Sequence, residues 1–304
     1  MATLILSMTN TDPARILLGY VQTSEGQIHC RQSARSQRPS TEQQLPWVLL
    51  HWTPISSWQY EPVMRALAER DAESYALDLP GYGQSHARPA DWMIEDFAAS
   101  IIEAVRNLGL SRIGLVGGHL SALIACEIVR DCARRADIEV AALVLDAPPL
   151  WDAATREKMS AGVRMSVPAA DDPEVLRGWL WDRAIDVQRN WDPDFLLDTN
   201  GIARVHQIIH DLVAMRFVSS ATAMANYDLA TRLPDLRCPT LVLGAERDYH
   251  LRWIDEVAAL VPGAATHRFA GLHPLHDPGR AAEYAAVLQG FSEKRAQDSE
   301  PRYP

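Results

Sequence analysis

The sequence is short of cysteine, short of positive charge and without a long apolar run, and each shortage closes off a class of protein. Four cysteines stand scattered at positions 30, 126, 132 and 238, with no CxxC pair. That usage predicts reduced thiols in a cytoplasmic protein rather than a disulfide scaffold. Acidic side chains outnumber basic ones by 39 to 29, for a net charge of −10. Neutralising phosphates needs a basic stripe, so no nucleic-acid partner is expected. No stretch of about 18 apolar residues occurs, so no membrane span is expected. The first residues lack a basic n-region and a cleavage site, so no secretory signal is expected. No internal repeat and no low-complexity tract is found.

What is present is ordinary soluble composition: 304 residues, 47% hydrophobic and 22% charged. A domain of this size buries roughly 75% of its unfolded surface and needs no disulfide or metal staple. Short strands are predicted over 16–21 and 27–31, around Ser24-Glu25-Gly26, followed by a polar loop over 33–45. Unalternating apolar runs at 47–50, 74–79, 113–117, 140–145 and 240–243 suit strands covered on both faces. A further strand is predicted over 265–269. Helical spacing marks 58–70, 95–108, 120–135 and 279–291. Strand and helix alternate, which predicts a mostly parallel, doubly wound α/β sheet. The alternation stops over 151–225, a helical stretch rich in Trp and Met. We therefore expect a core of 15–150 and 226–293, a helical cap of 151–225, and flexible termini at 1–14 and 294–304. A cap inserted there would cover the carboxyl ends of the strands, where open α/β sheets place ligands.

Four segments carry chemistry. They are His51-Trp52-Thr53-Pro54, Asp78-Leu79-Pro80-Gly81-Tyr82-Gly83, Gly117-Gly118-His119-Leu120-Ser121 and the run Leu243-Gly244-Ala245-Glu246-Arg247-Asp248. In order and spacing the chain resembles the α/β-hydrolase fold superfamily with a helical cap, from about residue 16 to 291. The resemblance implies that Gly117–Ser121 forms the strained strand-to-helix turn that lifts a nucleophile above the sheet. Its tip is His119, where the family has serine, cysteine or aspartate. Histidine tolerates a positive φ better than a β-branched residue does. Ser121 occupies the small flank position and is expected to pack rather than react.

By the same resemblance Asp248 matches the triad acid, with Asp146 in reserve, and the late loop Gly271-Leu272-His273-Pro274-Leu275-His276 supplies the histidine. His273 is the first choice and His276 the second. An extra residue separates Gly271 from His273, a departure from the family's Gly-His. The oxyanion hole maps to the backbone of Thr53 and Leu120, flanked by His51 and by Trp52 in place of glycine. Trp179, Trp181 and Trp191 of the cap are candidates to wall an apolar pocket, or to form plain lid core. His206 and His210 stand i, i+4 without a third ligand, so no metal site is expected. Nor does Gly81-Tyr82-Gly83 suggest a phosphate or dinucleotide loop; no cofactor is expected.

Four roles stay open for His119: general acid or base, hydrogen-bond donor, nucleophile through an acyl-imidazole, or a relic in a binding or structural homologue. The expected function is a cofactor-independent enzyme acting on a small apolar carbonyl-bearing compound, aromatic or polyketide-like, in specialised metabolism. The chemistry is either hydrolysis or a lyase or cyclase step; the other class is a protein without turnover. A small-molecule substrate is the expected partner, and a homodimer is compatible with the sequence.

Overall fold

Every residue of β3 (Trp47–Leu50) and β4 (Ser74–Leu77) is buried, as is nearly all of β5 (Arg112–Gly118) and β6 (Glu139–Asp146). Strands buried on both faces need helices on both faces, and the unalternating apolar runs reflect that demand. The computed structural model describes residues 15–33, 44–89, 91–162, 172–214 and 220–299. The expected arm at 1–14, residues 300–304 and most of the expected 33–45 loop lie outside them; residues 294–299, expected in a flexible tail, instead continue the last helix, Ala281–Ser299.

The sheet has eight strands in the order β1-β2-β4-β3-β5-β6-β7-β8. The remaining strands are β1 (Ile16–Gln22), β2 (Gln27–Ser33), β7 (Thr240–Ala245) and β8 (Ala265–Phe269). β2 runs antiparallel to both β1 and β4, and all later pairings are parallel. The chain thus starts at one edge, crosses to the centre and winds outward through β8. The expected doubly wound, mostly parallel sheet is what the structure shows.

Helices α1 (Glu61–Ala68), α2 (Ile94–Asn107) and α3 (Leu120–Arg135) follow β3, β4 and β5. Between β6 and β7 the described residues form the helices α4 (Ala153–Gly162), α5 (Pro173–Trp191), α6 (Thr199–Ala214) and α7 (Ala221–Asn226). Short α8 (Leu229–Arg232) leads into β7, α9 (Ile254–Leu260) joins β7 to β8, and α10 (Ala281–Ser299) closes the chain. No helix among the described residues is long and apolar enough to cross a membrane.

One buried carboxylate fastens the inserted helices to the sheet. Asp211 of α6 is wholly buried. It accepts hydrogen bonds from the Ser56 N–H (2.9 Å), the Ser56 hydroxyl (3.0 Å) and the Trp58 indole N–H (2.7 Å). Three donors to one charge offset much of its desolvation.

Candidate active site

The turn between β5 and α3 is built for close approach. A Cβ on Gly117 would stand 2.2 Å from the Ser121 carbonyl oxygen, and one on Gly118 would stand 1.8 Å from Trp52 Nε1. Only glycine at both positions lets α3 begin directly behind the strand with the indole alongside. His119 takes the tip with φ 51° and ψ −118°. A non-glycine residue there costs about 1–3 kcal/mol. Its N–H donates to the Asp146 carbonyl (3.0 Å), and its carbonyl accepts from Ala122 N–H (3.1 Å), which holds the strained turn.

The histidine at the tip is shielded but reachable, with its side chain 13% exposed. Its Nε2 lies 3.8 Å from Asp248 Oδ2, beyond a direct hydrogen bond, and has no hydrogen-bonding partner. Asp248 follows β7 and caps a short turn in which its Oδ1 accepts the His250 N–H at 2.7 Å. Burial alone would raise the Asp248 carboxyl. His119, and then His250, outweigh that and hold it well below the carboxylate range.

His250 was not anticipated from the sequence. Its ring packs 4.3 Å from that of His119. Its Nδ1 donates to the Ala147 carbonyl at 2.8 Å, which leaves Nε2 as a free lone pair. Burial and the neighbouring His119 push it down to about 3, so it stays neutral. A signal was available: it stands two residues beyond Asp248 in the loop that carries the acid.

The late-loop histidine has a different acid from the one expected. Asp248 was expected to orient His273; the structure gives that place to Asp146, the reserve candidate. His273 Nε2 donates to Asp146 Oδ1 at 3.0 Å, and its Nδ1 accepts from the Leu275 N–H at 3.2 Å. The other Asp146 oxygen accepts from the Tyr284 hydroxyl at 2.7 Å. Asp146 is wholly buried and both nitrogens of His273 are engaged. The extra residue before His273 and the end of β6 combine to make this pairing. His276 is buried with both ring nitrogens unpaired, and burial, then His273, holds it well below the ordinary imidazole value.

Trp52 is the other departure. Its fully buried ring stacks on His119 with centroids 3.9 Å apart and planes 18° apart. It also touches His273 (4.8 Å) and His276 (5.1 Å). The bulk that replaces the family's glycine therefore sits among all three imidazoles. Thr53 and Leu120 follow the two stacked rings directly in the chain; Thr53 is half-buried and Leu120 buried.

Two further residues near the elbow are structural. His51 donates from Nδ1 to the Trp52 carbonyl (3.1 Å) and accepts the Leu79 N–H on Nε2 (2.9 Å), joining the ends of β3 and β4. Its desolvation lowers its affinity for a proton. Ser121 is wholly buried and its hydroxyl donates to the His51 carbonyl at 2.6 Å, as expected of a packing residue.

Among the cap tryptophans, Trp191 reaches the site. It stacks on His276 (4.9 Å, 15°) and meets Trp52 edge-on at 6.1 Å. Trp181 packs on His206 at 6.0 Å, and Trp179 is half-buried on the same helix. His210 pairs with Asp211 at 3.4 Å, so the i, i+4 histidines serve the cap's own packing. A narrow crevice lined by Asn190, Trp191, Arg247, Asp248, Tyr249, His273 and His276 opens beside the Asp248 carboxylate.

Residues 47–287 match the alpha/beta hydrolase family. Among similar proteins, the (E)-2-((N-methylformamido)methylene)succinate hydrolase of Acinetobacter baylyi is 25% identical over 205 residues, 67% of this chain and 72% of that one. The AB hydrolase superfamily protein YisY of Bacillus subtilis is 26% identical over 217 residues, covering 67% and 74%. Among solved structures, the enol-lactonase of Burkholderia xenovorans superimposes with a TM-score of 0.70 at 17% identity, covering 90% of this chain and 99% of that one. A hydrolase from Pseudomonas aeruginosa gives 0.69 at 18% identity, covering 90% and 97%. These structural likenesses establish the fold.

Proposed function

The chain belongs to the alpha/beta hydrolase family, and from that premise we propose that it is an enzyme hydrolysing a small, largely apolar carbonyl compound by water activation rather than through a serine ester. The carrying observation is the His119–Asp248 pair, whose facing atoms stand 3.8 Å apart without a direct hydrogen bond, so that a small outward rotation of either side chain would admit one bridging water. With the proton on Nδ1, His119 Nε2 accepts a proton from that water while Asp248 holds the water's other hydrogen. The hydroxide adds to the substrate carbonyl. The imidazolium then returns its proton to the leaving oxygen or nitrogen as the tetrahedral intermediate collapses. Asp248, ionised by its surroundings, and the indole face of Trp52 both favour the transient cation on His119.

In this reading His273, held by Asp146, positions the late loop and takes no part in proton transfer. The hydrolase of a substituted succinate and the enol-lactonase support a small carbonyl-bearing substrate. One observation favours a second reading, a structural homologue without turnover: the crevice beside Asp248 has room for about one water and no more.

A panel of small lactones, esters and amides, assayed with chelator present, tests the proposal. At least one should be turned over, with His119→Ala costing about 10²–10⁴-fold in kcat and no fluorophosphonate labelling of the wild type. Equal rates in wild type and His119→Ala, or stoichiometric labelling of a serine, would overturn it.

A further inference from the structure

His119, Asp248 and His250 are brought together from two separate loops, and their ligand atoms all lie within 4.8 Å of one another. Among the described residues this is the one such cluster of three. Each side chain is already oriented. His250 donates a hydrogen bond from Nδ1–H to the Ala147 carbonyl, so its free lone pair is on Nε2. An imidazole anchored through one nitrogen to a backbone carbonyl is the usual support of a metal-bound histidine. Asp248 is aimed likewise: Oδ1 is occupied by the His250 N–H, and Oδ2 points at His119.

His119 Nε2 supplies an independent observation. It is buried and has no hydrogen-bond partner. Leaving such an atom unsatisfied is unfavourable, and the backbone around it is strained as well. An electron-pair acceptor placed between it, Asp248 and His250 would satisfy all three.

We infer that His119, Asp248 and His250 form a binding site for a divalent transition-metal ion of the zinc class, with its remaining coordination open toward the adjoining crevice. Two imidazoles and one carboxylate select such ions over calcium or magnesium, which prefer oxygen donors. Tetrahedral zinc bonds of about 2.0 Å place ligand atoms roughly 3.3 Å apart. The 3.8 Å separation of His119 and Asp248 is within a small side-chain rotation of that value. The expectation of no metal rested on spacing along the chain; the cluster joins the elbow to a loop about 130 residues later (248 − 119 = 129).

This inference goes beyond the imidazole-base reading and stands apart from it. A metal on Nε2 removes the lone pair that would take a proton from water, so the two are measured separately, binding without substrate and turnover with chelator.

The test is a titration of the whole, chelator-stripped protein with Co²⁺, followed by displacement with Zn²⁺. The wild type should bind one equivalent with the visible absorption of a low-coordinate cobalt site, and zinc should raise its Tm. His250→Ala should weaken binding at least 100-fold and abolish the zinc-induced shift, with an unchanged metal-free circular dichroism spectrum. Should that variant fold poorly, the isosteric Asp248→Asn carries the same expectation. A double His206→Ala, His210→Ala variant should bind as the wild type does. Binding no tighter than millimolar, or binding that survives His250→Ala and vanishes in the double variant, would overturn the inference.

Discussion

The indole of Trp52 lies flat against the imidazole of His119, 3.9 Å between centroids. Trp52 needs the missing side chain of Gly118, which a single Cβ would replace with a 1.8 Å clash. The tip residue, in turn, has one face covered by carbon, which leaves its edge for Asp248. The site is therefore organised around an aromatic wall formed by Trp52.

Removing that wall should be costly and should also change the chemistry. Trp52→Ala deletes a fully buried ring, and we expect a loss of about 3–5 kcal/mol in urea unfolding. Trp52→Phe keeps a stacked ring and should lose less than half as much. In activity assays Trp52→Ala should reduce kcat by weakening support for the imidazolium, while Trp52→Phe stays within tenfold of the wild type.

The two histidine–aspartate pairs should separate by phenotype. His273→Ala leaves the wholly buried Asp146 carboxylate with one donor, Tyr284, in place of two. It should cost about 2–4 kcal/mol of stability and change kcat less than tenfold at temperatures where the variant is folded. His119→Ala should do the reverse, cutting kcat about 10²–10⁴-fold with a smaller loss of stability, because alanine keeps the Cβ that strains the turn and only the stacked ring is removed. Thermal melts paired with kinetics decide the matter.

Much of the frame was legible because its signals are local. The run Trp47–Leu50, the helix Leu120–Arg135 and the strand Ala265–Phe269 have the same bounds in sequence and structure. Apolar runs and a Gly-Gly turn need no knowledge of distant residues. The partner of His273 was not legible. Asp146 ends β6 and Asp248 stands three residues beyond β7, and choosing between them depends on how the late loop, shifted by Leu272, folds back over the sheet. His250 was missed for a similar reason. Its role appears only once Asp248 turns the chain and Ala147, 103 positions earlier, accepts its hydrogen bond.

The link between cap and core should lean on Asp211, beside the stacking of Trp191 on His276. Asp211→Ala strands the Ser56 N–H, the Ser56 hydroxyl and the Trp58 indole N–H in the interior. A loss of about 2–4 kcal/mol is expected. Limited proteolysis should show earlier cleavage within the inserted helices than within the sheet. Asp211→Asn, which keeps one acceptor oxygen, should fall between the two.

Acid should destabilise the fold before the surface carboxylates titrate. His250 is held down to about 3 from an ordinary 6.5, and His276 also lies well below its ordinary value. In this range the unfolded chain binds protons that the folded chain refuses. Their contribution to stability is therefore complete above about pH 6.5 and is lost as pH falls toward 3. Each such histidine adds at most about 1.4 kcal/mol per pH unit to the slope. Asp248, also held low, acts in the same direction below its ordinary range near 3.8. Urea unfolding at intervals from pH 7 to pH 4 should show a steady decline. His250→Gln, which cannot be protonated, should flatten that decline by up to one proton's worth; an unchanged slope would show that the ring is already charged in the folded protein.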